Sequence, residues 1–190
     1  MAVEWTKHRF SGGALALDVA NTVVLRGDAE RTFDRFDDVG EIARFAAAAQ
    51  IFRADELQGR RLVVDDARAI AKRVLSIRET TDRLFRQSAQ AGVVATAHLP
   101  NFLRACAEGL ESAPEATHSV SFDTALAVSA LSLLSGDLVR KIRICRNCGW
   151  LFLDRSRNGS RLWCDMTVCG NRSKARRHYE RRKAMETANV

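Results

Sequence analysis

The sequence predicts a mainly α-helical fold, in which a multihelical body at residues 1–139 precedes a small cysteine-rich module at residues 140–190. Three observations support this prediction. Alanine, leucine and arginine dominate the 190 residues and only two prolines occur, a composition that favours helix over sheet. Apolar residues recur at three- and four-residue steps over long stretches of the body. Four of the five cysteines lie between residues 145 and 169, within the most basic part of the chain.

Hydrophobic periodicity places four helices in the body, after a start that the pattern leaves open. Leu15, Leu17 and Val19 alternate with other residues, but the alternation soon ends, so residues 1–36 stay ambiguous between strand and helix. The predicted helices cover residues 39–49, 67–89, 101–110 and 125–134. Acidic residues suited to N-caps precede three of them, namely Asp38, Asp65 or Asp66, and Asp123.

The connections between these helices have their own signals. Gly92 is predicted to end the second helix, and Val93–Leu99 is predicted to be extended. Pro100 suits the first position of the third helix, and Pro114–Ser121 is predicted to be a connector that includes a short strand. Cys106 lies in an apolar stretch, so we expect it to be a buried small hydrophobic residue.

Charge is distributed unevenly along the chain, whose formal net charge is +7. Residues 1–139 contain 16 Lys and Arg against 19 Asp and Glu, whereas residues 140–190 contain 14 against 4. A basic segment on a mildly acidic body indicates a polyanionic partner for that segment alone. We expect no signal peptide in Met1–Arg9 and no membrane-spanning segment, because the apolar runs are too short. Five cysteines without an export signal favour the reducing cytoplasm.

The module contains Cys145, Cys148, Cys164 and Cys169, with the spacing C-x2-C, fifteen residues, C-x4-C. A C-x2-C pair on a tight turn directs two thiolates at one centre, and Gly149 supplies the backbone freedom that such a turn needs. This pattern favours a metal site with four thiolate ligands.

The segment between the two cysteine pairs is predicted to be a hairpin. Trp150–Leu153 and Arg161–Trp163 resemble two short strands around an Asn-Gly turn. Such a hairpin would bring Cys164 beside the first pair, and Cys169 would follow at the start of a helix. The predicted module is therefore a treble-clef-like zinc finger.

Zinc is the favoured metal, although two other interpretations exist. A thioredoxin-type redox pair would leave Cys164 and Cys169 without a role, and an iron–sulfur cluster is less usual for this spacing. Four thiolates complete a tetrahedral shell, which predicts one structural Zn²⁺ without an open position for catalysis. A module this small also needs the metal to fold.

The helix that follows Cys169 is strongly basic. Asn171 is a candidate cap, and Ala175 and Tyr179 share one face that we expect to pack on the hairpin. A solvated face is the usual role of such a charge run, but the adjoining zinc module favours contact with nucleic acid. The candidate nucleic-acid contacts are Arg155, Arg157, Asn158, Arg172, Lys174, Arg176, Arg177 and Arg181.

Residues 140–185 resemble the CGNR zinc-finger family, whose name is the tetrapeptide Cys169-Gly170-Asn171-Arg172. Further segments similar to the core of this family are Cys148–Asp154, Ser156–Arg161, Trp163-Cys164 and Lys174–Arg177. The family is regarded as bacterial transcription regulators connected with stress. The resemblance implies the same four cysteines as zinc ligands and DNA as the partner.

A weaker resemblance lies upstream, where Leu15–Asp18 and Asn21-Thr22 are similar to the L-D-x-x-N-T signature of the ABATE domain that commonly precedes this finger. Val19 stands where relatives usually have an aromatic residue. The resemblance implies that Asp18 and Asn21 are important without stating a role, and a satisfied turn or helix cap is favoured over contact with a ligand.

Together these observations predict a DNA-binding transcription regulator. The body would sense a small-molecule effector or mediate homodimerisation. The alternative is a zinc-stabilised module that binds protein or RNA without specific DNA binding. We do not expect an enzyme, because the four histidines are scattered and no catalytic motif occurs.

Overall fold

Helices dominate the computed structural model, which describes residues 2–111 and 118–188 and confirms the predicted fold class. The helices are α1 (Leu15–Ala20), α2 (Gly40–Phe52), α3 (Ala54–Leu57), α4 (Ala67–Ala91), α5 (Leu99–Glu111), α6 (Phe122–Ser132), α7 (Gly136–Lys141) and α8 (Asn171–Ala188). None of the helices in these ranges combines the length and the hydrophobicity that crossing a bilayer requires.

Within the described residues, short strands form three two-stranded pairs. The strands are β1 (Val23–Val24), β2 (Phe33–Asp34), β3 (Arg61–Val63), β4 (Ser119–Ser121), β5 (Ile142–Ile144) and β6 (Leu151–Leu153). The pairs β1–β2 and β5–β6 are antiparallel, whereas β3 and β4 are parallel. The predicted short strand in the Pro114–Ser121 connector is thus present as β4, while residues 114–117 of that prediction lie outside the described residues.

Helix α1 forms the centre of the core, and this explains why its sequence pattern was ambiguous. All six of its residues are buried, so it has no polar face and no helical period to detect. Helices α4 and α6 pack directly against it, and the same core contains the fully buried Phe45, Phe85, Phe102 and Phe122.

Two of the three predicted N-caps are confirmed. Asp66 accepts hydrogen bonds from the amides of Arg68 and Ala69 at the start of α4, and Asp38 accepts one from Gly40 at the start of α2. The third is wrong, since Asp123 lies inside the first turn of α6. Its fully buried carboxylate pairs with Arg73 at 2.6 Å and so joins α6 to α4.

The region after α4 differs in part from the prediction. Gly92 ends the helix in the left-handed conformation, with φ of +74°, as expected. Val93–Leu99 is not a strand, because residues 96–98 form a 3₁₀ turn that leads directly into α5. Pro100 is the second residue of α5, and Cys106 is buried in that helix as predicted.

The β5–β6 hairpin belongs to the same hydrophobic core as the helices. Ile142, Leu151 and Leu153 are buried in that core together with residues of α1 and α4. A second, smaller core surrounds the cysteines and includes Trp150 and Phe152. Alternate residues of β6 therefore face the body and the metal centre. The boundary between the body and the module, placed between residues 139 and 140, stays a prediction.

Candidate metal centre and basic surface

The first two cysteines lie on the turn of the β5–β6 hairpin. Cys145 follows β5, its amide donates to the Trp150 carbonyl at 2.8 Å, and its carbonyl accepts from Gly149. Gly149 has φ of +72°, the left-handed backbone that its position in the sequence predicted. The hairpin differs from the predicted one, because β6 pairs with β5 and Arg161–Trp163 is not a strand.

An ordered loop at residues 154–163 takes the place of the predicted second strand. The buried carboxylate of Asp154 accepts hydrogen bonds from the amide and hydroxyl of Ser156 and from the amide of Arg161. Although burial acts to raise it, these hydrogen bonds lower the pKa of Asp154. The Arg161 guanidinium then donates to the carbonyls of Trp163 and Cys164, which fixes the third cysteine.

The fourth cysteine lies in a π-helical turn, Met166–Gly170, that continues into α8. Asp165 caps this turn by accepting hydrogen bonds from the amides of Thr167 and Val168. The predicted cap Asn171 is wrong, since it is already inside continuous helical backbone. The sequence contained a signal for the observed cap. Aspartate is a favoured N-cap residue, and its side chain accepts from amides two or three positions later, as Asp165 does from Thr167 and Val168.

The four sulfurs fit a zinc ion. They lie within 4.8 Å of one another, with 3.6 Å between the Sγ atoms of Cys148 and Cys164 and 3.7 Å between those of Cys164 and Cys169. Sulfurs bonded to one tetrahedral Zn²⁺ at about 2.3 Å are about 3.8 Å apart. Three of the four cysteines are buried and Cys148 is half-buried. The structure therefore brings together all four predicted ligands as one structural zinc site.

Because three of the four thiols hydrogen-bond one another, their pKa values depend on one another. Hydrogen bonds from Cys148 and Cys164 lower the pKa of Cys145 far below its ordinary value. The same contacts with Cys145 raise the pKa of both partners. A divalent cation favours the thiolate form of all four cysteines, because it binds each sulfur directly.

Two side chains that the sequence did not indicate, those of His8 and Arg35, contact Trp150 beside the metal centre. His8 stacks on Trp150 at 5.3 Å and its Nδ1 lies 3.0 Å from the Asp165 carboxylate. The buried guanidinium of Arg35 lies over the Trp150 ring, and burial together with nearby Arg9 lowers the pKa of Arg35 to about 10. No spacing signal links these residues to the cysteines, because they are more than one hundred positions away.

Asp18 and Asn21 connect α1 to the free edge of β6. The Asn21 carboxamide donates to the Leu151 carbonyl and accepts from the Leu151 amide, both at 2.9 Å. The Leu153 amide donates to the Gly12 carbonyl at 2.8 Å, and the Gly12 amide donates to Asp18. These groups act as a third strand for the hairpin, so the two signature residues have a structural role.

The Asp18 carboxylate also pairs with Arg53 at 2.5 Å, and Arg53 donates to the Phe10 carbonyl. Burial raises the pKa of Asp18 to about 7, while Arg53 and the Gly12 amide act to lower it. This ion pair keeps the segment at residues 10–18 in place beneath the hairpin.

The predicted nucleic-acid contacts lie on two exposed surfaces. Arg155, Arg157 and Asn158 are exposed at the tip of the 154–163 loop, and the five predicted residues of α8 are exposed along that helix. The expected packing of α8 on the hairpin is wrong, because Ala175 is exposed and Tyr179 is 59% exposed. In α8, Ser173 is buried, and the helix beyond it to residue 185 is exposed to solvent.

Comparison with known proteins supports the identity of the module. Residues 141–182 match the family model described as CGNR zinc finger, and the match includes all four cysteines. No curated protein and no solved structure matches the chain significantly. The resemblance of the body to an ABATE domain remains a prediction.

Proposed function

We propose that this chain, in which residues 141–182 form a CGNR zinc finger, is a transcription regulator that binds DNA through α8 and the 154–163 loop. The observation that supports this proposal most is the exposed basic helix that begins directly after the zinc ligand Cys169. The metal centre fixes one end of α8, and the rest of the helix is accessible to a partner. The proposal includes no catalytic step and places the protein in the cytoplasm.

The charge of α8 favours a polyanion. The helix contains seven Lys and Arg against two Glu, and its Arg176–Glu180 contact is a loose 3.9 Å. Like charges four residues apart destabilise an isolated helix. DNA phosphates would neutralise these charges, so the helix that charge repulsion destabilises in isolation becomes more stable in a complex.

The arrangement of these cations favours contact with the DNA backbone. Arg172, Arg176 and Lys183 point in one direction from the α8 axis, whereas Lys174, Arg177 and Arg181 point in another at 100° per residue. Cations that point in two directions can contact phosphates on the two walls of a groove better than a single row of base edges. We therefore assign α8 to affinity and orientation.

The 154–163 loop is better suited to base contacts. Arg157 and Asn158 are exposed at its tip, and both residue types form bidentate hydrogen bonds with base edges. The loop is ordered before binding, because Asp154 accepts three hydrogen bonds within it and Arg143 donates to the Gly159 carbonyl at 3.1 Å. A preorganised tip loses less entropy on binding.

Fluorescence anisotropy of duplex DNA across a salt series tests this proposal. Three to five phosphate contacts should give a slope of log K against log salt of roughly −3 to −4.5. Arg177→Ala should weaken all sequences alike and make the slope shallower by about one unit. Arg104→Ala, which removes an exposed arginine on α5, is the matched control and should leave the slope unchanged.

Other outcomes would overturn the proposal. A slope near zero, or no binding at low salt, would mean that the charge of α8 is only a solvated face. Tighter binding to structured RNA of equal length would favour the RNA-associated alternative. Equal loss in the Arg104→Ala control would show a response to net charge and not to α8.

A further inference from the structure

A cavity of about 540 Å³ lies where the end of α4, helix α7 and strand β5 meet. Its volume is within the range of about 300–1,000 Å³ that is usual for small-molecule sites. It is separate from the zinc centre and from the exposed basic helix. Its apolar lining comes mainly from Val93, Val94, Leu134, Val139 and Ile142.

Part of this apolar wall is open to solvent. Val93 and Val94 follow Gly92 at the end of α4 and are 67% and 38% exposed. Adjacent exposed branched residues are unfavourable in water, and the apolar body of a bound molecule would cover them. The wall therefore favours a ligand with a hydrophobic part.

The charged lining favours a ligand that is also an anion. Arg140 and Arg143 line the cavity, and its lining contains no Asp or Glu. Within residues 2–111 and 118–188, neither arginine forms an ion pair. Arg143 donates a hydrogen bond to the Gly159 carbonyl. The lining hydroxyl of Ser88 already donates to Leu84, so the two guanidinium groups are the polar side-chain groups of the lining that remain for recognition.

We propose that this cavity binds a small amphipathic organic anion, with its apolar body on the valine wall and its head group on Arg140 and Arg143. Guanidinium groups bind carboxylates and phosphates through paired hydrogen bonds, so either head group has the required chemistry. The site lies outside the surfaces that we assign to DNA, and it goes beyond the proposed function.

The position of the cavity links it to the zinc finger. Arg143 is on β5, two residues before the ligand Cys145, and its guanidinium donates to Gly159 in the 154–163 loop. An anion that pairs with the Nη2 group of Arg143 competes with this hydrogen bond. Occupation of the cavity therefore loosens the loop that we assign to base contacts.

Calorimetry on the zinc-loaded full chain tests the site with three probes of equal chain length, which are octanoate, octyl phosphate and uncharged octanol. At least one anion should bind about tenfold or more tightly than octanol, because it forms charge-assisted hydrogen bonds that the alcohol lacks. Arg140→Gln combined with Arg143→Gln should remove this advantage, while Arg104→Gln on α5 should keep it. Ala89→Trp, which fills the cavity without changing its charge, should abolish binding of both anions.

Each alternative result overturns a defined part of the proposal. Equal affinity for octanol would mean that the valine wall binds apolar chains without recognising charge. No binding of either anion, or full binding by the Ala89→Trp variant, would exclude this cavity. Hydrogen exchange of residues 156–161 should become faster with the bound anion, and unchanged exchange would contradict the link to the loop. The tighter of the two anions identifies the head group.

Discussion

Cys164→Ser is expected to abolish zinc binding and to disorder the 154–163 loop and the turn that leads to α8. Wild-type protein should contain about one zinc per chain, because four thiolates bind one ion. Cys164 is central in this site, with its sulfur 3.6 Å from that of Cys148 and 3.7 Å from that of Cys169. Zinc contributes about 10–16 kcal/mol to the folding of comparable small fingers. The hydrogen bonds within the 154–163 loop cannot supply a free energy of that size.

The hairpin should survive this substitution. Ile142, Leu151 and Leu153 are buried against the helices and not against the cysteines. We therefore expect fast hydrogen exchange in residues 154–170 of the Cys164→Ser variant, while the strands β5 and β6 stay protected. Loss of protection in the strands as well would show that the metal also holds the hairpin on the body.

Thiol labelling measures the exposure of the zinc ligands, and Cys106 is the matched control. In the Cys164→Ser variant, iodoacetamide should modify Cys145, Cys148 and Cys169 within minutes, because no metal protects them. Cys106 should stay unmodified in both proteins, because burial raises its pKa to about 12. Cys106→Ser should keep the wild-type zinc content. Zinc retained by Cys164→Ser, or iron in the wild type, would contradict the assignment.

Local signals in the sequence predicted the ligands but not the surroundings that position them. The four cysteines could be assigned because ligand spacing on a tight turn is a local property. The partner of β6 was predicted wrongly, because Arg161–Trp163 has the residue types of a strand while Asp154 accepts the hydrogen bonds that would otherwise form a ladder. Competition of this kind depends on three-dimensional contacts that residue types do not encode.

The body illustrates a second limit of sequence patterns. Helices α2 and α4 have one polar face, so their apolar periodicity and their caps at Asp38 and Asp66 could be found. Helix α1 is buried on all sides and gave no period. The same burial places α1 against strand β6, so the segment with the weakest pattern helps, together with α4, to join the finger to the body.

This arrangement makes Asn21 the side chain whose removal should most weaken the attachment of the finger. Asn21 is 2% exposed and Leu151 is fully buried, so water does not readily replace the lost partner. Asn21→Ala leaves the amide and the carbonyl of Leu151 without their hydrogen bonds. Each unsatisfied buried group costs about 1–3 kcal/mol, so the two together should lower the free energy of unfolding by roughly 2–6 kcal/mol.

For a chain of this size, that loss corresponds to a decrease in melting temperature on the order of 5–25 °C, which calorimetry can measure. Asn101→Ala, which removes an exposed asparagine on α5, is the matched control and should change stability by less than about 0.5 kcal/mol.

The zinc content of Asn21→Ala should stay at one per chain, because no ligand is changed. Hydrogen exchange should accelerate at the Leu151 amide, which loses its acceptor, whereas the Leu153 amide keeps its bond to Gly12. Unchanged melting and unchanged exchange at Leu151 would mean that apolar packing alone fixes the hairpin to α1.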